Sequence, residues 1–203
     1  DDPISKSSTL PSHSEWALAD AFMPTLYPGN VQEILDLGLH GFMLSRVSGL
    51  WAALKIVTNV ADETGTIEVG LDRVQPVIPT VERDGKPFQH QINLNIIPPY
   101  GLDMERTLHL ARPELARRYA WENKLNRITV PTPDAWLGIL TTGKTYYDVR
   151  QAFEELGLDE AALRRYGVRI LQMGLMYPME PRIIREFARG LEAILVVEEK
   201  RPF

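Results

Sequence analysis

The stretch Gly138-Ile-Leu-Thr-Thr-Gly143-Lys144-Thr145 has the residue types of a phosphate-binding loop, G-x4-G-K-[ST]. In such a loop, glycine amides cradle phosphate oxygens and the lysine neutralises them. Glu198, after Ile194-Leu-Val-Val197, could pass for the acidic residue ending a second strand. The context argues against this chemistry. Only Ala135-Trp136-Leu137 precede Gly138 as a strand, Pro131 and Pro133 lie just upstream, and Ile139 and Leu140 suit a strand interior better than a loop. We expect a strand through Gly138 and a turn at Gly143. That would still place Thr141, Thr142 and Gly143 at a strand's carboxyl end, where α/β sheets bind ligands.

Other candidate chemistry is sparse. Arg117, Arg118, Tyr119, Trp121, Lys124 and Arg127 mix basic and aromatic residues as nucleic-acid sites do. On a helix, Leu115, Tyr119 and Trp121 would instead pack partly inward and the arginines would be solvated. Glu114 and Glu122 dilute the positive field. Histidines 13, 40, 90 and 109 form no metal-ligand spacing, and His40 falls within an apolar helical pattern. Asp1, Asp2, Ser7, Ser8, Ser12, His13, Ser14 and Glu15 form a polar cluster expected to be a solvated loop. No G-x-S-x-G elbow accompanies it. Glu198 and Glu199 are expected at a solvated strand end. The residues alone complete no catalytic constellation.

The elements that must position these groups read in three parts. Residues 14–22 suit a short helix and 23–27 a short strand ended by Pro28-Gly29. Asn30 is a good N-cap for a helix to Val47, whose Val31, Ile34, Leu35, Leu39, Phe42, Met43 and Val47 recur at helical spacing. Residues 50–58 suit a buried strand, giving a βαβ unit. In the Pro-rich middle, Arg83-Asp84-Gly85-Lys86 marks a hairpin. A helix over 104–123 should be split by Pro113, and 130–134 reads as a linker. The last part alternates strand 136–142, helix 144–156, an acidic turn 159–166, strand 168–173, helix 181–191 and strand 193–197. That is the pattern of a doubly wound parallel sheet.

The chain has 203 residues, a formal net charge of −5 and no cysteine. Absent cysteine excludes disulfides, thiol nucleophiles and cysteine-held iron–sulfur clusters from these residues. The acidic balance argues against a nucleic-acid partner. No apolar run is long enough to span a membrane. There is no charged-then-apolar leader pattern, and the composition fits a reducing cytoplasm. The chain starts at Asp1 and stops soon after a strand-like run, so we expect a piece of something longer.

Asp1-Asp2-Pro3 with Ser7-Ser8, Leu26-Tyr-Pro-Gly-Asn-Val-Gln-Glu33 and Leu137-Gly-Ile-Leu-Thr-Thr-Gly143 carry a resemblance. So do Leu171-Gln-Met-Gly-Leu-Met-Tyr-Pro178 and Leu195-Val-Val-Glu-Glu199. Together they resemble the 2-oxoacid:ferredoxin oxidoreductases, nearest the long fused bacterial indolepyruvate type. The resemblance implies an α/β, three-layer αβα fold made from parts of two domains. Residues 1–64 would end a pyrimidine-binding thiamine diphosphate domain. Residues 65–133 would be an insert, and 134–203 the start of a transketolase C-terminal-like domain. It implies oxidative decarboxylation of an arylpyruvate to acyl-CoA, with electrons passing to ferredoxin. Thiamine diphosphate and magnesium would bind outside these residues, and any iron–sulfur cluster would lie elsewhere in the parent enzyme. Asp2, Ser7 and Ser8 map to a loop near the active-site side, and Thr58 and Asn59 to a strand end. Partners would be the oxoacid, coenzyme A, ferredoxin, other domains of the same chain and a second copy. A phosphate-loop fragment and a non-catalytic docking module are the alternatives.

Overall fold

A computed structural model describes residues 13–200. In chain order the elements begin with α1 (Glu15–Asp20), β1 (Thr25–Leu26), α2 (Val31–Ser48), β2 (Ala53–Leu54) and α3 (Thr58–Ala61). The insert holds β3 (Glu82–Arg83), β4 (Lys86–Pro87), α4 (Tyr100–His109) and α5 (Ala111–Glu122). Then follow β5 (Asn126–Val130), β6 (Leu137–Thr142), α6 (Gly143–Glu155), α7 (Glu160–Arg165), β7 (Val168–Met173), β8 (Leu175–Tyr177), α8 (Pro181–Ala188) and β9 (Ala193–Val197).

The first unit forms around α2. The Asn30 side chain accepts the Glu33 amide at its start, and Gly49 ends it in the left-handed region at φ 70°. Both features follow from local chemistry: an amide oxygen satisfies an orphan N–H, and glycine carries no Cβ penalty. β1 and β2 pair in parallel, so the expected βαβ unit is present. The expected strand over 50–58 shrinks to two residues. β2 has a partner on one side only, and Trp51 is 78% exposed. The chain then turns into α3, whose Val60 and Ala61 amides bond the Val57 carbonyl.

The second unit is a sheet of order β5-β7-β6-β9 in which β6, β7 and β9 run parallel. Ile139 and Ile170 face α6 and α7, with Tyr146, Val149, Phe153 and Leu163. Leu140 and Leu171, one residue on, face α8 with Ile183 and Phe187. The period-two alternation thus fills both faces and makes three αβα layers. Asp84 and Gly85 take positive φ in the expected hairpin turn. The expected long helix breaks at Leu110, which places Pro113 in the tolerant first turn of α5.

Four elements lay outside the sequence expectation: α3, β8 and two more. The acidic turn is the helix α7, with Asp159 accepting the Ala162 amide as its N-cap. Residues 126–130 form β5, antiparallel to β7, with a register shift between Ile128 and Val130. That shift turns Ile128 toward α8 and Val130 toward α6 and α7.

β8 joins the two units. β7 runs through Gly174 straight into β8, which pairs antiparallel with β1. Asn126 Oδ1 accepts both the Gly174 and Leu175 amides at 2.9 Å. A side chain at 174 would strike the Leu125 carbonyl. Within the second sheet, buried Arg169 donates to the carbonyls of Thr132, Pro133, Phe187 and Arg189. It ties the segment before β6 to the end of α8.

Gly138 lies inside β6, where a Cβ would come within 2.6 Å of Phe187 Cζ. Gly138→Val should therefore destabilise the fold by about 1–3 kcal/mol through overpacking. A denaturation midpoint unchanged from the native protein would contradict this placement.

Candidate functional site

The carboxyl ends of the parallel strands from both units meet. β6 is followed by helices on one face and β7 by α8 on the other, so their carboxyl ends form the crevice where doubly wound sheets bind ligands. The first unit fills this crevice. Ideal Cβ atoms at Gly143 and Gly29 would overlap the Tyr27 ring and Tyr147 Cε2 respectively, so only glycine permits these approaches. Gly143 has φ 50°.

Glu33 locks this contact. Its Oε2 accepts the Gly29 amide at 2.8 Å. Its Oε1 accepts the Tyr147 hydroxyl at 2.7 Å and the Gln172 amide at 2.8 Å. Arg127 lies 3.7 Å from the same oxygen and donates to Gln172 Oε1 at 3.1 Å. One carboxylate thus joins α2, α6, β5 and β7. Burial first, then the Glu33 charge and hydrogen bond, push the Tyr147 phenol well up, so it remains a donor.

A second cluster lies on the other side of Tyr27. Lys55, just past β2, is buried and pairs with Glu15 and, at 3.4 Å, with Glu199. Its ammonium sits 4.2 Å from the Tyr27 ring centroid, a cation–π distance. His13 Nδ1 meets the other oxygen of Glu15. Burial pushes the Glu15 carboxyl up, but hydrogen bonds from Lys55 and His13 and the Lys55 charge outweigh it, leaving it at about 2. Burial, with Glu199 beside it, drives the Tyr27 phenol far up. Its hydroxyl is buried beside Glu199, with no hydrogen bond of good geometry among the described residues.

Several sequence expectations change here. Asp2, Ser7 and Ser8 lie outside the described residues. Thr58 and Asn59 open α3 rather than ending a strand, three and four residues past Lys55. Glu199 is not solvated: its side chain is 10% exposed and paired. Glu15, expected in a solvated loop, is buried. Lys55 lay in no motif, and Glu33 closed the Leu26–Glu33 stretch without a role being assigned to it. A lysine inside an apolar run and a glutamate three residues past an N-cap asparagine were the available signals.

The phosphate-loop alternative does not survive the geometry. Gly138 is a packed strand residue, and Lys144 bonds both Asp148 oxygens at 2.6 Å. The Thr145 hydroxyl is taken up by the Thr142 carbonyl and the Thr141 hydroxyl. The basic–aromatic stretch is a helix with Tyr119 and Leu115 inside and Arg118 paired to Glu114. Among the described residues no three His, Asp or Glu side chains are grouped to hold a metal. No helix among them is long and apolar enough to cross a membrane.

Residues 126–203 match the family described as the indolepyruvate ferredoxin oxidoreductase middle domain. The whole chain is similar to proteins named indolepyruvate oxidoreductase subunit IorA. Identity is 31% over 199 residues to that of Methanothermobacter marburgensis, covering 98% of this chain and 30% of that protein. It is 32% over 202 residues to that of Methanothermobacter thermautotrophicus, covering 100% and 30%. The chain therefore spans about 30% of these relatives' length. Among solved structures, a 2-oxoglutarate:ferredoxin oxidoreductase from Magnetococcus marinus, with 2-oxoglutarate, coenzyme A and succinyl-CoA bound, aligns with TM-score 0.56 at 15% identity. The alignment covers 86% of this chain and 34% of that one. At that identity the likeness concerns the fold alone.

The Lys55 cluster predicts an acid dependence. Glu15 is near 4.5 when unfolded and about 2 when folded, so its contribution is full above 4.5 and is lost as pH falls toward 2. Lys55→Met should cost about 3–5 kcal/mol at neutral pH by removing the buried cation that Glu15 and Glu199 share. It should also flatten the acid limb of a stability–pH curve. An unchanged acid limb in Lys55→Met would show that Lys55 does not set the Glu15 equilibrium.

Proposed function

We propose, on the premise that residues 126–203 belong to the indolepyruvate ferredoxin oxidoreductase middle-domain family, that the chain is the joint between two domains of a thiamine diphosphate-dependent 2-oxoacid:ferredoxin oxidoreductase. The first segment, 1–64, is the end of a pyrimidine-binding domain. Residues 65–133 are an insert that lends β5 to the following sheet. Residues 134–203 begin a transketolase C-terminal-like domain. The parent enzyme oxidatively decarboxylates an arylpyruvate to an acyl-CoA and passes electrons to ferredoxin. It is a cytoplasmic homo-oligomer.

The observation that carries this reading is identity above 30% across both units and the insert together. The seam described above supplies the physical role. Two α/β units meet at their strand carboxyl ends and are held in one relative orientation by Glu33, Tyr147 and Gln172. The described residues do not fit a magnesium–diphosphate site, since no carboxylate cluster stands ready. No step through thiamine diphosphate is assigned to them. Thiamine diphosphate supplies the carbanion chemistry from other domains. This chain's residues keep the two units in register. Asp2, Ser7, Ser8, Thr58 and Asn59 remain proposed as residues near the active-site side.

A docking role coexists with this one. All of β9 except Val197 is exposed, including Ile194, Leu195 and Val196 at 43–52%. The insert exposes Leu71, Ile92 and Leu94 above 80%. Exposed apolar side chains on an edge strand and an insert offer surface for further protein to cover.

The intact enzyme, given indolepyruvate, coenzyme A and a viologen dye, should reduce the dye, and residues 1–203 alone should not. Glu33→Ala in the intact enzyme should lower kcat by up to the order of 10²-fold, as misplacement of about 1 Å can. Tyr147→Phe, which removes one of the carboxylate's donors, should lower it less. Turnover by the isolated 203 residues, or full activity in Glu33→Ala, would sink the proposal.

A further inference from the structure

Between the hairpin and α4 the insert runs Gln91-Ile-Asn-Leu-Asn-Ile-Ile97, closed by Pro98-Pro99. Polar and apolar residues alternate here as in a strand with one buried face. Nothing buries that face. Ile92, Leu94 and Ile96 are 83%, 89% and 78% exposed. Residues 91–97 pair with no strand among the described residues. A period-two pattern left wholly in solvent is a ready template for a further strand.

The backbone marks which edge is open. In an extended chain, odd-numbered and even-numbered amides point to opposite edges. The Asn95 and Ile97 amides are taken by the Asn93 and Asn95 side chains, at 2.9 and 3.1 Å. Those side chains blunt the odd-numbered edge. The amides of Ile92, Leu94 and Ile96 have no acceptor among the described residues. The even-numbered edge is therefore free to pair.

The sequence fits one occupant, a second copy of itself. Counted outward from Leu94, asparagine stands one residue away on each side and isoleucine two away. Laid antiparallel on itself, the segment sets Leu94 opposite Leu94, Ile92 opposite Ile96 and Asn93 opposite Asn95. The open amides of Ile92, Leu94 and Ile96 then meet the carbonyls of Ile96, Leu94 and Ile92 across the pair. The apolar side chains of both copies share one face. An antiparallel pair uses the same edge of each copy and closes as a twofold dimer, whereas a parallel pair uses different edges and does not. From Phe88 to Leu102 there is no Asp, Glu, Lys or Arg, so two copies oppose no like charges. Ile92, Leu94, Ile96, Ile97, Tyr100 and Leu102 are 51–89% exposed. Their exposed area is on the order of 800 Å², which is what each partner of a standard interface buries.

We propose that residues 91–97 form an intermolecular strand, paired antiparallel with the same residues of a second copy on a twofold axis at Leu94. This rests on the docking role proposed above for the insert and gives it one occupant. It does not rest on the oxidoreductase reading.

The test is disulfide trapping in the intact protein carrying Leu94→Cys, under a mild oxidant, read by peptide mass spectrometry. Position 94 occurs once per chain, so a 94–94 disulfide joins two copies. A hydrogen-bonded antiparallel pair holds its Cα atoms about 5.5 Å apart, within disulfide reach. Thiols so held act at an effective concentration near millimolar, so at micromolar protein 94–94 should form on the order of 10²-fold faster than 71–71 from Leu71→Cys. Leu71 is the exposed control, at 98%. Mixing Ile92→Cys with Ile96→Cys should give 92–96. It should give little 92–92 or 96–96, since four residues of strand, about 13 Å, separate those positions. As much 92–92 or 96–96 as 92–96 overturns the register and with it the proposal. A 94–94 disulfide no faster than 71–71 also overturns it. In that case, a 94 thiol shielded from maleimide leaves the docking role standing with another domain as the cover. A freely labelled one removes that role as well.

Discussion

The architecture turns on the Glu33 carboxylate. Three donors from three parts of the chain converge on it, and it sits at the seam between a βαβ unit and an αβα sheet. A carboxylate so placed is both a large penalty and a large constraint. Desolvation is offset only while the Gly29 amide, the Tyr147 hydroxyl and the Gln172 amide hold their positions. Displacing either unit would strand a charge or several donors. This converts a modest contact between two small units into one with a defined orientation.

The same region carries a second polar cluster in which Lys55 ties α1, the end of β2 and the segment after β9 together. Tyr27 stands between the two clusters, with its ring under the Lys55 ammonium and against Gly143. Both clusters lie at strand carboxyl ends, so the place where α/β sheets usually receive ligands is taken up by the chain itself. The proposed joint between two domains would require this kind of closure.

Much of the fold was legible because its signals are local. Asn30 and Gly49 bracket α2, Asp-Gly at 84–85 makes the hairpin turn, and Val168–Met173 and Ala193–Val197 emerge with the expected bounds. β5 was missed although Arg127-Ile128-Thr129-Val130 alternates polar and apolar residues, because the run is short and merges into Pro131-Thr-Pro133, which reads as a linker. The expected strand at 50–58 failed for a complementary reason: an apolar run does not reveal whether a second strand exists to pair with it.

The site followed the same division. The sequence by itself determined that no cysteine chemistry occurs in these residues, that two α/β segments flank a Pro-rich stretch, and that Gly138 suits a strand better than a phosphate loop. These depend on composition and on spacings of a few residues. Only the tertiary structure decided that Glu33 meets Tyr147 and Gln172, 114 and 139 positions away. It likewise decided that Lys55 meets Glu199 across 144 positions. A charged side chain looks the same in sequence whether water or a buried partner will satisfy it, and the partner is fixed only when distant strands are brought edge to edge.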